Sequence, residues 1–345
     1  MKNVAVIGHF GGGHLFLDGQ TIKTKIVAEE IERCSGENNV TCYDTYGGIK
    51  ILFKILLNSF NSLKNHKKVV AMPDSNGVRV IFPWLKFWNL LYKREIHYVV
   101  IGGWLSEFLK NKKILSMVLK KLDGIYVETT SMKNALEDMG FTNIFVMPNC
   151  KKLNILNEEE LVYPKDEPYR LCTFSRVMEE KGIEDAVNAV KAANDNFGRI
   201  VYTLDIYGQV DSAQTEWFEK LKSSFPEYVT YGGLVPFDKS VEVLKNYFAL
   251  LFPTRFYTEG IPGTFIDAYA AGVPVITALW MNSGDIFENV IQGLGYEFGK
   301  NDELNRILVD VANNNSIICD MKPKCLIKAK SYLPEEAMCV LTDKL

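Results

Sequence analysis

One segment restricts the fold of this chain more than any other. An apolar run over residues 247–252 ends at Pro253, and a polar loop carrying Glu259 follows. Gly263 and Thr264 then open a helix that ends at Gly272, where Pro274 forbids continuation and a second apolar strand begins. A strand that is apolar along its whole length, joined through a helix to another such strand, belongs in a buried parallel sheet. The loop therefore brings Glu259, two glycines and a helix N-terminus to the carboxyl end of a sheet, where open α/β sheets bind ligands. Free amides at a helix N-terminus favour phosphate. Asp267, eight residues after Glu259, falls in or next to the first helical turn. Two carboxylates for two polyols with an anion site between them suit a sugar nucleotide. The plainer reading makes Asp267 a dipole-complementing residue and Glu259 a solvated loop acid.

A second site lies about eighty residues upstream. The apolar strand over residues 169–174 breaks into a loop with Arg176 and Lys181, and a helix follows over 183–193. Two cations fixed at a strand's carboxyl end clamp a diphosphate and neutralise it as it leaves, without a metal. The alternative is two ordinary surface cations. Lys181, however, stands near a helix N-terminus where the macrodipole disfavours positive charge, which points to an anionic ligand.

After the first strand comes a glycine-rich loop with Gly11, Gly12 and Gly13 between His9 and His14, and Asp18 begins the next helix. Counting Gly-x-Gly-x-x-Gly from Gly11 puts Phe16 at the sixth position, so the dinucleotide fingerprint fails. Side-chain-free Gly12 and Gly13 let backbone approach a ligand closely. His9 and His14 are either loop histidines without a role or contacts to a second substrate. The chain has no P-loop, nucleophile elbow, Asp-x-Asp, His-Glu-x-x-His or zinc-spaced cysteine cluster, so no metal is expected.

Ser175-Arg176, Lys181-Gly182, Gly208, Glu259-x7-Asp267 and Ala271-Gly-Val-Pro-Val275 together resemble the GT4-type retaining glycosyltransferases of the GT-B fold. The likeness is strong from about Arg170 to Tyr296 and looser before that. The stretch from Glu259 to Gly272 is similar to enzymes that build bacterial capsular and exopolysaccharide repeat units. The resemblance implies two Rossmann-like βαβ domains facing each other across a cleft, with a C-terminal helix crossing back to the first. It implies a nucleoside-diphosphate sugar donor and no cofactor; UDP is the favoured donor nucleotide, although the base loop suits uracil or guanine alike. Arg176 and Lys181 would hold the diphosphate, Glu259 the transferred sugar, and Ile261, Pro262, Gly263 and Thr264 the sugar and phosphates. Asp267 would take the ribose, and Leu234 and Val235, in the loop after the third strand of the second half, the base. Gly12 and Gly13 would sit over the phosphates, with His9, His14 and Asp18 on the acceptor side. One departure stands out. Many such enzymes carry a histidine after the fourth strand of the first domain, where this chain has Gly102-Gly103, and His97 lies at the wrong end of that strand.

At 345 residues the chain is long enough for two cores. The βα alternation divides the chain into two halves with an acid-rich linker over 151–168; the resemblance then implies 1–160 as an acceptor-side domain, 161–330 as a donor domain and 331–345 as the crossing helix. Expected strands lie near 3–8, 39–43, 68–72, 97–101, 124–127 and 143–147, then near 170–174, 201–206, 228–231, 247–252 and 274–277. Seven cysteines without a Cys-x-x-Cys pair fit a reducing cytoplasm, and the N-terminal apolar run is too short for a signal peptide. The net charge of −3 hides an asymmetry: residues 1–150 carry 19 Lys and Arg against 13 Asp and Glu, and residues 151–345 carry 20 against 29. Within 47–121 the cations number 14 and the acids 3, interleaved with Trp, Phe and Leu. Such segments are either ordinary helices with lysines toward water or interfacial elements on anionic lipid. With the resemblance, this implies a peripheral protein on the inner face of the membrane working on a lipid-linked saccharide. Nucleic acid is not an expected partner. Other readings are a sugar-nucleotide epimerase, an inverting transferase, or a catalytically silent scaffold of a polysaccharide assembly complex.

Overall fold

A computed structural model describes residues 2–13, 19–36, 38–164 and 166–345. The chain divides into two units, one running to residue 152 and including 332–345, the other 153–331. The first unit holds strands β1 (Lys2–Gly8), β2 (Val40–Asp44), β3 (His66–Ala71), β4 (Glu95–Val99), β5 (Gly124–Val127) and β6 (Ile144–Val146). They form one sheet in the order β2-β1-β3-β4-β5-β6, and every pair is parallel. The connections are helical: α1 (Gly19–Ser35), α2 (Leu52–Asn65), α3 (Val78–Tyr92), α4 (Leu105–Leu109), α5 (Lys113–Leu119) and α6 (Thr130–Asp138). Right-handed crossovers decide which face each helix covers. The step from β1 to β2 runs one way and all later steps run the other, so α1 lies opposite α2, α3, α5 and α6. The core divides accordingly. Ile55, Phe82, Leu115 and Leu136 pack on one face of the sheet, and Ile26, Val27 and Ile31 on the other.

The second unit repeats the plan. Its strands are β7 (Tyr169–Phe174), β8 (Tyr202–Tyr207), β9 (Val229–Gly233), β10 (Ala249–Phe252), β11 (Val275–Leu279) and β12 (Gly293–Glu297), ordered β12-β11-β10-β7-β8-β9 and again all parallel. Helices α7 (Ile183–Phe197), α8 (Thr215–Lys222), α9 (Ser240–Leu244) and α10 (Gly263–Ala270) connect them, and α11 (Asn301–Asn313), α12 (Ser316–Cys319) and α13 (Lys322–Ala329) follow. All four side chains of β10 are buried, Leu250, Leu251 and Phe252 each contributing on the order of 2 kcal/mol from apolar area removed from water. Helix α10 ends as its sequence dictates. Gly272 takes φ 63°, its amide donates to Tyr269 O, and Val273 N donates to Ala268 O, the paired bonds of a Schellman stop.

Strand order reverses between β1 and β3 in the first sheet and between β7 and β10 in the second. At such a point the loops leaving the two neighbouring strands turn apart and leave a crevice at the carboxyl edge. The loops after β7 and β10 are the two that carry Arg176, Lys181 and Glu259.

Three features differ from the sequence reading. The acid-rich stretch expected as a linker is folded from Leu153 onward into the second unit: Leu156 N donates to Ala270 O, and Leu161 is buried against Gly272. Strand β12 escaped notice because Gly293 and Gly295 weaken its strand signal; a Cβ on Gly293 would lie 1.9 Å from Val275 O, so the strand needs the glycine to lie flat beside β11. The C-terminal residues join the first unit as two short helices, α14 (Pro334–Ala337) and α15 (Cys339–Thr342), rather than one, with Ala337, Met338 and Leu341 packed beside α1. Among the described residues no helix is long and apolar enough to cross a membrane.

Lys322, at the start of α13, is fully buried with its ammonium donating to Tyr247 O at 3.2 Å and Gly272 O at 3.4 Å. Burial pulls its pKa down from 10.5 to about 8. Between those values the unfolded chain holds the proton and the folded one does not, so the cost of burying this charge, full below about pH 8, disappears as pH rises toward 10.5. Relative to Lys322→Met, the wild-type protein should therefore gain stability across that window. Denaturant titrations of both proteins at pH 7, 9 and 10 check this, and a constant difference contradicts it.

Candidate active site at the switch point of the second sheet

The loops after β7 and β10 touch through their backbones. Gly182 has φ 69°, and a Cβ there would fall 1.9 Å from the Pro253 carbonyl oxygen. Arg255 N donates to Glu180 O at 2.8 Å. The Arg255 guanidinium grips Asp185, in the first turn of α7, through two bonds of 2.8 and 2.7 Å; this pairing raises the arginine pKa. A bidentate pair fixes direction as well as distance, so the two loops form one rigid rim.

On that rim Lys181 Nζ lies 2.7 Å from Glu259 Oε2, both side chains mostly buried. The ammonium also faces the rings of Phe252 and Phe256, at 5.5 and 5.0 Å from their centroids. The structure thus joins two of the residues singled out in the sequence. Arg176 is exposed and stands 3.5 Å from Asp211, in the loop after β8. That loop is held against it by Gly208, whose Cβ would fall 1.7 Å from Ser175 O, and by Gln214, which accepts from Glu179 N and donates to Glu180 Oε2.

Helix α10 enters this rim by its N-terminus. No side chain caps it. The Thr264 hydroxyl donates to Phe174 O, the last carbonyl of β7, which pins the first helical turn to the neighbouring strand. Ile261 and Pro262 are buried, so they shape the loop, while Gly263 and Thr264 keep partial exposure. Asp267 lies one turn into the helix, buried, and accepts from Ser240 Oγ at 2.9 Å. Ser240 opens α9, at the end of the loop that carries exposed Leu234 and half-buried Val235. Ser240 thereby ties that loop to the acid expected to hold a ribose.

In the first unit the glycine-rich loop is anchored by a carboxylate that the sequence reading overlooked. Asp44, the last residue of β2, accepts from Phe10 N (2.9 Å), Gly12 N (2.7 Å) and Tyr46 N (2.8 Å). Burial pushes its pKa up, but these three amides outweigh it and hold the carboxyl below its ordinary value. The Gly12 amide thus donates to Asp44, and among the described residues nothing lies within 4 Å of a Cβ built on Gly13. His9 Nδ1 lies 2.8 Å from Thr21 Oγ1. His14 and Asp18 lie outside the described residues. His97 is buried beside the Tyr126 hydroxyl at 3.1 Å, and desolvation lowers its pKa.

Asp44, Asp185, Arg255, Asp211 and Ser240 were not singled out in the sequence. Asp44 carried one available signal, an acid at the carboxyl end of a strand; the other four depend on contacts 27 to 70 residues apart that no local pattern encodes.

Comparison with known proteins fits this geometry. Residues 168–314 match the family model described as glycosyl transferases group 1, which covers the switch-point loops but less than half of the chain. No curated protein matches the sequence. Among solved structures, Anabaena Alr3699/HepE in complex with UDP is similar with a TM-score of 0.75 at 12% identity, covering 100% of this chain and 99% of that one. The lipopolysaccharide outer core galactosyltransferase WaaB has a TM-score of 0.71 at 15% identity with full coverage of both. TarM of S. aureus, in a complex that includes UDP, has a TM-score of 0.64 at 16% identity; it covers 82% of this chain, which spans only 57% of TarM's length. The fold is therefore that of the GT-B glycosyltransferases, with two Rossmann-like α/β units.

The rim depends on its glycines. Gly182→Ala should lower the unfolding free energy by about 2–4 kcal/mol, since the new methyl must displace a backbone carbonyl. Gly299→Ala, also at positive φ (80°) but with nothing within 4 Å, should cost only about 1 kcal/mol. Denaturant unfolding separates the two; equal losses would remove the backbone contact from the explanation.

Proposed function

We propose that this protein transfers a sugar from a UDP-sugar to a hydroxyl of a saccharide acceptor carried on a lipid, with retention at the anomeric carbon, in cell-surface polysaccharide synthesis. The observation that carries the reading is the Lys181–Glu259 pair at 2.7 Å on the switch-point rim, inside the segment that matches glycosyl transferases group 1. The UDP named in the HepE and TarM structures supports the choice of nucleotide.

In this reading the diphosphate lies along the rim, against Arg176, Lys181 and the uncapped N-terminus of α10. Each is a positive group fixed in place before charge develops, the arrangement that stabilises a departing anion most effectively. The bond from the anomeric carbon to the diphosphate oxygen breaks and the acceptor oxygen attaches on the same face. The acceptor's proton passes to the leaving phosphate oxygen, so the step needs no metal and no separate base. Glu259 positions the sugar, and Lys181, by sharing one of its oxygens, holds the carboxylate in direction. Asp267 meets the ribose through a shift of its Ser240 bond, and the loop of Leu234 and Val235 meets the base. The protein works at the cytoplasmic face of the membrane, where UDP-sugars and lipid-linked acceptors meet.

UDP should raise the thermal midpoint of the wild-type protein, by about 2.7 kcal/mol of added stability at a hundredfold excess over its dissociation constant, and Arg176→Ala should abolish most of that shift. With a UDP-sugar and a lipid-linked acceptor, Arg176→Ala and Glu259→Gln should each lower kcat by about a hundredfold or more while the proteins stay folded by circular dichroism. Full activity in both variants sinks the proposal. A product with inverted configuration sinks its stereochemical part.

A further inference from the structure

Helices α2, α3 and α5 form one layer on the first sheet. Trp84 Nε1 donates to Leu56 O between α2 and α3, and Lys86 Nζ donates to Lys121 O, just past the end of α5. Their inner faces fill the core; their outer faces are not polar. Among the described residues six apolar side chains are more than 60% exposed, and five of them, Phe53, Phe87, Leu90, Leu91 and Ile114, stand on this layer. The sixth, Ile327, stands alone on α13.

The charge around them has one sign. The three acids within 47–121 are all engaged: Asp74 accepts from the amides of Asn76 and Gly77, Glu95 pairs with Lys68, and Glu107 with Lys110. Among the described residues, Lys50, Lys54, Arg79, Lys93, Lys113 and Lys121 have no carboxylate partner. Arg79, Lys110, Lys112 and Lys113, with Pro83 and Ile114, line an open pocket of about 570 Å³. Its walls combine cations with hydrocarbon.

We propose that this outer face docks onto an anionic lipid bilayer, with Phe53, Phe87, Leu90, Leu91 and Ile114 entering the headgroup–acyl boundary and the pocket of Arg79 and Lys113 taking a lipid phosphate. A bilayer satisfies both halves of the surface at once, hydrocarbon for the apolar side chains and phosphate for the cations. A second copy meeting face to face would set like charges against like, and a nucleic acid would leave the apolar tips in water. The proposal names the surface by which the transferase reading reaches its lipid-borne acceptor, yet lipid binding can be measured without donor, acceptor or turnover.

The experiment is co-sedimentation of the full chain with vesicles of phosphatidylcholine alone or with about 30% phosphatidylglycerol, each at about 0.1 and 0.5 M salt. The wild-type protein should partition to the anionic vesicles at least tenfold more strongly than to the neutral ones, and less at high salt. Phe87→Ser with Leu91→Ser, and separately Arg79→Glu with Lys113→Glu, should each lower that partition tenfold or more without changing the thermal midpoint or its response to UDP. Wild-type protein that stays in solution with anionic vesicles overturns the proposal. So does a partition untouched by both double variants, or an apolar double variant that converts a dimer to a monomer by light scattering. Protein that responds to UDP but ignores vesicles would sink docking alone. Protein that binds vesicles but ignores every nucleotide would sink the transferase reading and leave docking standing.

Discussion

The second unit is organised around the contact of Gly182 with the Pro253 carbonyl. Two strands that leave a parallel sheet on either side of an order reversal send their chains in opposite directions, so nothing in the sheet itself brings their loops back together. Here the missing side chain of Gly182 allows backbone to meet backbone, and the Arg255–Asp185 fork locks the contact from outside. Only with the loops so joined can Lys181, from one, reach Glu259, from the other. The bond from Thr264 to the end of β7 extends the same principle to α10. A rim fixed at this many points holds its charged groups in set directions, the condition under which fixed charges act most strongly.

The first unit meets a similar problem by different means. In the described part of its glycine-rich loop after β1, Asp44 at the end of β2 gathers three of the surrounding amides. An acid in that place commonly holds a ribose in dinucleotide-binding folds. Here the carboxylate faces inward to the loop, consistent with the failed glycine fingerprint.

How far the sequence spoke for itself depended on the range of the interaction. Strand β10, helix α10 and its stop at Gly272 were legible because burial, propensity and the Schellman turn are written within a few residues. The position of Arg176, Lys181 and Glu259 at the carboxyl edge was legible because loops leaving buried strands must emerge there. Strand β12 was not, since its two glycines weaken the strand signal, and Gly293 is demanded by the backbone of Val275, about eighteen residues away. That Asp44 takes the Gly12 amide was not legible, because the two stand 32 residues apart. The segment near 151–168 looked like a linker by its acidity alone; Leu156 and Leu161, the residues that anchor it, are too few to make a periodic signal.

Charge follows the same division between what is engaged and what is left over. In residues 151–345 acids outnumber bases by nine, yet many are matched one to one: Asp185 with Arg255, Asp205 with Arg170, Glu167 with Arg199, Glu259 with Lys181. In residues 47–121 the imbalance runs the other way and is not matched, because only three carboxylates are available and each already has a donor. At physiological ionic strength the field of a charge fades within about 8 Å, so a partner senses the face it touches rather than the chain's total of −3. A protein that is acidic by count can thus present a strongly basic surface. The Phe, Leu and Ile side chains standing among those cations make that surface suited to hydrocarbon as much as to phosphate.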